Sequence, residues 1–286
     1  MRWRSWIILA LMTVLSGCSA VRLTYDQGPL LAYWWLDNYA DFSSDQAPRV
    51  KRALADWFSW HRATQLTDYA QGLASLRAMA ANPVTITPAQ ACQVADSWQL
   101  RAEKAFAQAV PAVAEQLRSL TAEQVAHIER RQLDQQEELA AEYRQADPAE
   151  RQKAALGRTT DRAESLYGPL DDAQRRLLAA GLAGSPFNPA LWQAERRQRQ
   201  ADLLGQLRQW QQDKPDAATA QQAVRRLTAD TTRSPRPDYA AYAARVRQAN
   251  CALAAQLHNS STAAQRQHAI DKLKGWEGDL RALAQP

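Results

Sequence analysis

The sequence predicts an all-α fold, a bundle of about nine to eleven amphipathic helices that follows a signal peptide. Good helix formers (Ala, Gln, Leu and Arg) dominate the 286-residue chain, whereas glycine occurs only 10 times. Apolar residues recur three and four positions apart, and no stretch of useful length shows the alternation typical of a strand. Helices with a single apolar stripe bury those stripes against one another, which gives a bundle.

The chain begins with a segment typical of protein export. Arg2 and Arg4 precede about ten apolar residues at positions 6–15, too few to span a bilayer, which takes roughly 20. A basic head, a short apolar centre and small residues at the cleavage site characterise a secretory signal. We therefore predict a signal peptide over residues 1–17.

The end of this segment resembles the bacterial lipobox, in which a leucine and two small residues precede a cysteine. Here these residues are Leu15, Ser16, Gly17 and Cys18. The resemblance implies cleavage between Gly17 and Cys18, diacylation of Cys18 and acylation of the new amino group. Because lipoproteins retained at the inner membrane commonly carry Asp after the cysteine, Ser19 implies an outer-membrane anchor facing the periplasm. The alternative is an ordinary signal peptide in which Cys18 is incidental.

Net charge gives little support for a nucleic-acid partner. The chain has 35 basic and 30 acidic side chains, and an excess of three basic residues remains without Arg2 and Arg4. This excess is spread along the chain, and the periplasm contains no nucleic acid to bind. The expected partners are the membrane, through the N-terminal lipid, and an unidentified envelope protein.

The remaining cysteines, Cys92 and Cys251, predict a disulfide. Export places both thiols in an oxidising compartment, where paired thiols usually become disulfides. The bond would connect an early helix with a late one, which favours a single helical domain over residues 44–286. The alternative is two buried free thiols.

Residues 18–43 are predicted to form a lipidated tether and an aromatic segment. The segment contains Tyr33, Trp34, Trp35 and Tyr39 within seven positions. Trp and Tyr favour membrane–water interfaces, so a membrane-interface belt is one interpretation. The other is a short helix packed on the domain.

Local signals predict the helix boundaries within 44–286. One apolar face is formed by Val50, Leu54, Trp57, Phe58 and His61. A side-chain acceptor three residues before Gln or Glu indicates a capping box, as at Thr87, Thr121, Asp147 and Asp171. Further helix starts are predicted at Thr67, Asn188, Asp216 or Thr219, Asp238, and Ser261 or Thr262. Pro111 should kink or break the helix over 88–118, and residues 231–237 should form an irregular connection.

Two resemblances to protein families are present. The lipobox, the Asp37-x-Tyr39 element, residues Trp60-His61-Arg62 and the Leu66-x-x-Tyr69-Ala70 turn together resemble a family of proteobacterial lipoproteins of unknown function. This resemblance implies an all-helical lipoprotein and carries no established catalytic residue. Relatives often have Leu-Pro where this chain has Leu66-Thr67. Residues 120–124 (LTAEQ) and 170–174 (LDDAQ) resemble the LTxxQ motif of small periplasmic helical chaperones, although helix capping explains both.

The sequence contains no recognisable catalytic or metal-binding motif. None of the four histidines (His61, His127, His258 and His268) has a second ligand-type residue at a metal spacing, and Cys-x-x-Cys is absent. No phosphate-binding glycine loop or Gly-x-Ser-x-Gly elbow is present. We therefore expect no cofactor, no metal and no enzymatic activity.

The main functional prediction is a lipid-anchored binding, adaptor or chaperone-like module. Its expected contact surface comprises Trp34, Trp35, Tyr39, Trp60 and His61. The alternative is an envelope hydrolase acting on peptidoglycan or another glycan, with His61 and a helix carboxylate at the site. A hydrolase should place His61 in a cleft within about 3 Å of Asp or Glu. A binding module should pack His61 between Trp57 and a neighbouring helix.

Overall fold

The computed structural model describes residues 20–143 and 147–285, and these residues form twelve α-helices and no β-strand. The predicted all-α bundle is confirmed, with one helix beyond the upper predicted number because a seven-residue helix precedes the aromatic segment. The predicted signal peptide, its cleavage site at Gly17 and Cys18, and the acylation of Cys18 lie outside the described residues. In chain order the helices are α1 (Ala20–Asp26), α2 (Gly28–Ala40), α3 (Ala47–Thr64), α4 (Leu66–Ala81), α5 (Pro88–Arg118), α6 (Ala122–Tyr143), α7 (Pro148–Tyr167), α8 (Asp172–Ala183), α9 (Pro189–Asp213), α10 (Ala217–Thr232), α11 (Pro237–Asn259) and α12 (Ala263–Ala284).

Most helices begin at the predicted side-chain caps. Reciprocal capping boxes are present at Thr87, Thr121, Asp171 and Thr262. Single side-chain caps are present at Asp147, Asn188 and Asp216. Each cap accepts a hydrogen bond from a backbone amide of the first turn, which would otherwise have no partner within its helix.

Four local predictions need correction. Thr67 does not cap α4, because Gln65 keeps a right-handed helical backbone and α4 begins at Leu66 after this single residue. Asp238 lies in the first turn of α11 and does not precede it, since Pro237 occupies the first helical position. The helix α5 continues past Pro111 to Arg118, so the proline does not break it. The connection predicted over 231–237 is shorter, because α10 extends to Thr232.

The predicted disulfide is present between α5 and α11. The Cys92 and Cys251 sulfur atoms are bonded, and their Cα atoms are 5.3 Å apart. The bond joins residues that are 159 positions apart in the sequence. It therefore connects an early and a late part of the chain, as predicted.

The helices that surround the main apolar cluster come from distant parts of the sequence. Buried side chains of α5, α6, α9 and α10 form this cluster together with Leu120: Val110, Ala114, Leu120, Val125, Ile128, Leu204, Leu207, Trp210, Ala220 and Val224. Phe42, after α2, packs against it. Elsewhere α12 packs along α4, so the last helix lies against one of the first.

Four glutamines join helix starts in pairs. Gln46 and Gln124 exchange amide hydrogen bonds of 3.2 and 2.7 Å, and Gln174 and Gln265 exchange two of 2.8 Å. Each glutamine also accepts a hydrogen bond from the backbone amide three residues earlier: Ser43, Thr121, Asp171 and Thr262, respectively. The starts of α3 and α6, and those of α8 and α12, are therefore held together by buried polar contacts.

Candidate functional site: an aromatic groove beside an exposed helix

His61 lies near the end of α3 in an aromatic environment and is only 8% exposed. Its ring stacks on Trp57, with centroids 4.7 Å apart, and Tyr69 of α4 contacts it edge-on at 5.2 Å. Its Nδ1 atom is 2.8 Å from the hydroxyl of Tyr25 in α1. Burial lowers the pKa of His61, so the ring is neutral near pH 7.

Tyr25 keeps its proton in this pair. Burial raises the pKa of Tyr25 to about 12, although the nearby guanidinium of Arg62 lowers it. A second pair repeats the arrangement, with the Tyr167 hydroxyl 2.9 Å from Nδ1 of His258. Both pairs join neutral groups from separate helices, which is a structural role for the two histidines.

A large groove lies between α2, α3 and α5. Its volume is about 1440 Å³, and residues of α6, α9 and α10 also line it. Its apolar lining includes Leu54, Trp57, Val113, Leu117, Ile128 and Leu203. Arg49, Arg52 and Arg118 lie along it with Asp56 and Glu115, so its walls are apolar and its charges are mixed.

Two buried amide oxygens have no hydrogen-bond partner among the described residues of the groove. Gln132 of α6 is 5% exposed, and its Oε1 atom is buried without a donor. The Oε1 atom of Gln116 in α5 is in the same state. An unpaired buried acceptor costs about 1–3 kcal/mol, so each oxygen would gain from an incoming N–H or O–H group.

The residues of the predicted contact surface lie in three different places. Trp35 and Tyr39 line the groove, and the Tyr39 hydroxyl donates to Gln135 Oε1 at 3.0 Å. Trp34 lies outside it and is 57% exposed. Trp60 and His61 lie in the aromatic cluster at the other end of α3, where His61 is buried.

The helix α9 carries three neighbouring arginines, Arg196, Arg197 and Arg199, and two of them contact other parts of the protein. Arg196 donates to Gln135 and lies over the Trp192 ring, while Arg199 pairs with the buried Glu195. Burial acts to raise the pKa of Glu195, but hydrogen bonds from Arg236, Ser234 and Arg199 lower it to about 2. The Glu195 carboxylate is therefore ionised and has a structural role. Of the three neighbouring arginines, only Arg197 is exposed.

A smaller cavity of about 440 Å³ lies beside the disulfide, and two polar side chains on its wall, Tyr242 and Arg247, have hydrogen-bond partners. Tyr242, on its wall, exchanges hydrogen bonds with the backbone of Asn188. Arg247 pairs with Asp96 and donates to the Cys92 carbonyl. These groups offer no unpaired acceptor comparable to those of Gln116 and Gln132.

Sequence reasoning missed both groove glutamines. Glutamine is abundant in this chain and usually solvated, so nothing in the local pattern distinguishes Gln116 or Gln132 from the others. Over residues 20–143 and 147–285, no group of three or more His, Cys, Asp or Glu side chains is arranged to hold a metal. Within the same residues, every helix is too short or too polar to cross a membrane.

Comparison with known proteins identifies one family. The family described as "Family of unknown function (DUF6279)" matches residues 38–239. The match covers α3 to α10 and so contains both groove glutamines, whereas α1, α12 and Trp34 lie outside it. No match was found among curated proteins or among solved structures.

Proposed function

This chain belongs to DUF6279, a family of unknown function, and from that premise we propose that it is a lipid-anchored, non-enzymatic binding module of the outer membrane that faces the periplasm. Acylated Cys18 would anchor the protein. The groove between α2, α3 and α5 would bind an apolar segment of an envelope polypeptide.

The observation that carries this proposal is the buried, unpartnered Oε1 atom of Gln132 in an apolar groove. A polypeptide segment supplies both kinds of group that the groove lacks. Its apolar side chains would cover Leu54, Val113 and Leu203. An N–H group would donate to Gln132 once the amide of this side chain turns toward the groove, since its oxygen is buried. Binding sites commonly combine apolar walls with a few such polar groups.

The surroundings of His61 support binding over hydrolysis. Sequence reasoning expects a hydrolase to place an Asp or Glu against His61, and a binding module to pack His61 against Trp57. The ring stacks on Trp57 and pairs with Tyr25, which is the second arrangement. This geometry favours the adaptor or chaperone-like function over the hydrolase alternative.

Site-specific photocrosslinking in intact cells tests the groove. A photoreactive amino acid would replace Glu115, on the groove wall, or Glu138, an exposed residue of α6 outside the groove. We expect a discrete protein adduct from position 115 and none from position 138. The same adducts from both positions, or none from either, would contradict binding in the groove.

Metabolic palmitate labelling tests the anchor independently. The wild-type protein should incorporate label, and Cys18→Ala should abolish it. Retained label in the variant would refute acylation at Cys18 without bearing on the groove.

A further inference from the structure

The helix α2 carries apolar side chains on its outer face. Leu30, Leu31 and Trp34 are 41%, 44% and 57% exposed. The opposite face is covered: Tyr33 is buried, and its ring stacks on Phe42. Exposed apolar groups on one face of a surface helix mark an interaction surface.

The same outer face continues into α1. The backbone stays helical through Gln27, whose amide donates to the Leu23 carbonyl and whose carbonyl accepts from the Leu31 amide. Positions 23, 27, 30, 31 and 34 therefore follow one another at helical spacing. Leu23 is 63% exposed, so the apolar face extends over both helices.

This face begins directly after the proposed anchor. Only Ser19 separates Cys18 from Ala20, the first residue of α1. Since a residue spans at most about 3.6 Å, the start of α1 would lie within roughly 7 Å of the acylated cysteine. Any membrane that holds the lipid must then lie close to the start of α1.

We propose that the outer face of α1 and α2, formed by Leu23, Leu30, Leu31 and Trp34, lies in the lipid–water interface and fixes the orientation of the protein on the membrane. This inference rests on the proposed acylation of Cys18. Interfacial helices bury their apolar side within the headgroup region in this way, and tryptophan is favoured there.

A single fluorescent label on the acylated full-length protein tests this orientation. The label would be attached at Leu31→Cys or, as a control, at Leu191→Cys. Leu191 is 48% exposed, and it adjoins Trp192, which contacts Tyr143 at the far end of α6. With Cys18 acylated and Cys92 bonded to Cys251, the introduced thiol is the one that reacts.

In vesicles of phosphatidylethanolamine and phosphatidylglycerol, we expect emission from position 31 to move to shorter wavelength. Lipids carrying a spin label near the headgroup should quench it about twofold or more, because interfacial side chains lie within that layer. Position 191 should show neither effect.

Two results would overturn the inference. Equal emission and quenching at both positions would show that the face is in water. A blue shift at position 31 without lipid quenching would show that a protein, such as a second copy, covers it. Palmitate incorporation shows separately whether Cys18 is acylated. If the protein incorporates palmitate and position 31 is nevertheless in water, the orientation is refuted and the anchor is not.

Discussion

At the scale of single residues, two glutamines of α6 have the same chemistry and opposite environments. Gln124 donates to the Asp41 carbonyl and to Gln46, and it closes the capping box of Thr121. Gln132, two turns later, has a buried oxygen without a partner among the described residues. The hydrogen-bond partners, and not the residue type, decide whether a buried amide stabilises the fold.

The substitution Gln→Met should therefore have opposite effects at these positions. Gln132→Met removes an unsatisfied oxygen at similar volume and should raise the free energy of unfolding by about 1 kcal/mol. Gln124→Met leaves several groups unpaired and should lower it by about 1–3 kcal/mol. Urea denaturation measures both. Destabilisation by Gln132→Met would indicate that its oxygen is satisfied in solution.

Two buried histidines make the stability depend on pH near neutrality. Burial lowers the pKa of His61, and burial with the nearby Arg266 lowers that of His258. In the unfolded chain the histidine pKa values are near 6.5. Just below that pH, the unfolded chain therefore binds protons that the folded protein does not bind. The stabilisation is thus present above about pH 6.5 and is lost as the pH falls below it.

We expect the unfolding free energy to decrease between about pH 7.5 and 5.5, and the double variant His61→Gln/His258→Gln to flatten this slope. His268→Gln, at an exposed histidine, serves as the control and should retain the wild-type slope. An unchanged slope in the double variant would assign the pH dependence to other groups. The low pKa of Glu195 stabilises the folded protein throughout this range, and that stabilisation is lost only below about pH 4.5, as the pH falls towards the folded pKa of about 2.

At the scale of helices, α2 and α3 approach each other closely at Gly28. A Cβ atom there would lie 2.4 Å from Cε1 and 2.7 Å from Cζ of the Phe58 ring. The absence of a side chain at Gly28 allows this contact, which holds α2 beside the groove. In contrast, Gly157 in α7 has open space around the position of a Cβ atom.

The substitution Gly→Ala therefore distinguishes these two helices. Gly28→Ala should destabilise the protein by about 1–3 kcal/mol, because the Phe58 ring must move. Gly157→Ala should stabilise it by roughly 0.5–1 kcal/mol, because alanine loses less backbone freedom in a helix. Thermal unfolding compares the variants, and equal melting temperatures would argue against the close contact at Gly28.

At the scale of the whole molecule, the disulfide joins distant parts of the chain. Replacing both cysteines (Cys92→Ser with Cys251→Ala) releases a loop of 159 residues. Removal of such a bond costs about 2–5 kcal/mol. Chemical denaturation of this variant should show that decrease in the free energy of unfolding. In the wild type, mass spectrometry after thiol blocking should show that Cys92 and Cys251 carry no blocking group. Two blocked thiols would contradict the bond.

Features set by local chemistry could be predicted from the sequence. The caps at Thr87, Asp171 and Thr262 depend on residues three positions apart. The disulfide is predictable because only Cys92 and Cys251 remain once Cys18 is assigned to the lipid. The short helix α1 was missed because its seven residues contain no cap signal. The groove and the unpaired Gln132 oxygen were also missed, because they arise where helices distant in sequence meet.

The packing of α12 has a consequence for biogenesis. Arg22 of α1 pairs with Asp279, Arg77 of α4 pairs with Glu277, and Arg62 donates to the Leu283 carbonyl. The ribosome makes these α12 residues long after α1, α3 and α4, and a translocating chain would deliver them in the same order. The surfaces of α1, α3 and α4 that contact α12 therefore stay uncovered until α12 has been made, and loss of α12 alone would leave Arg22, Arg62 and Arg77 without these contacts.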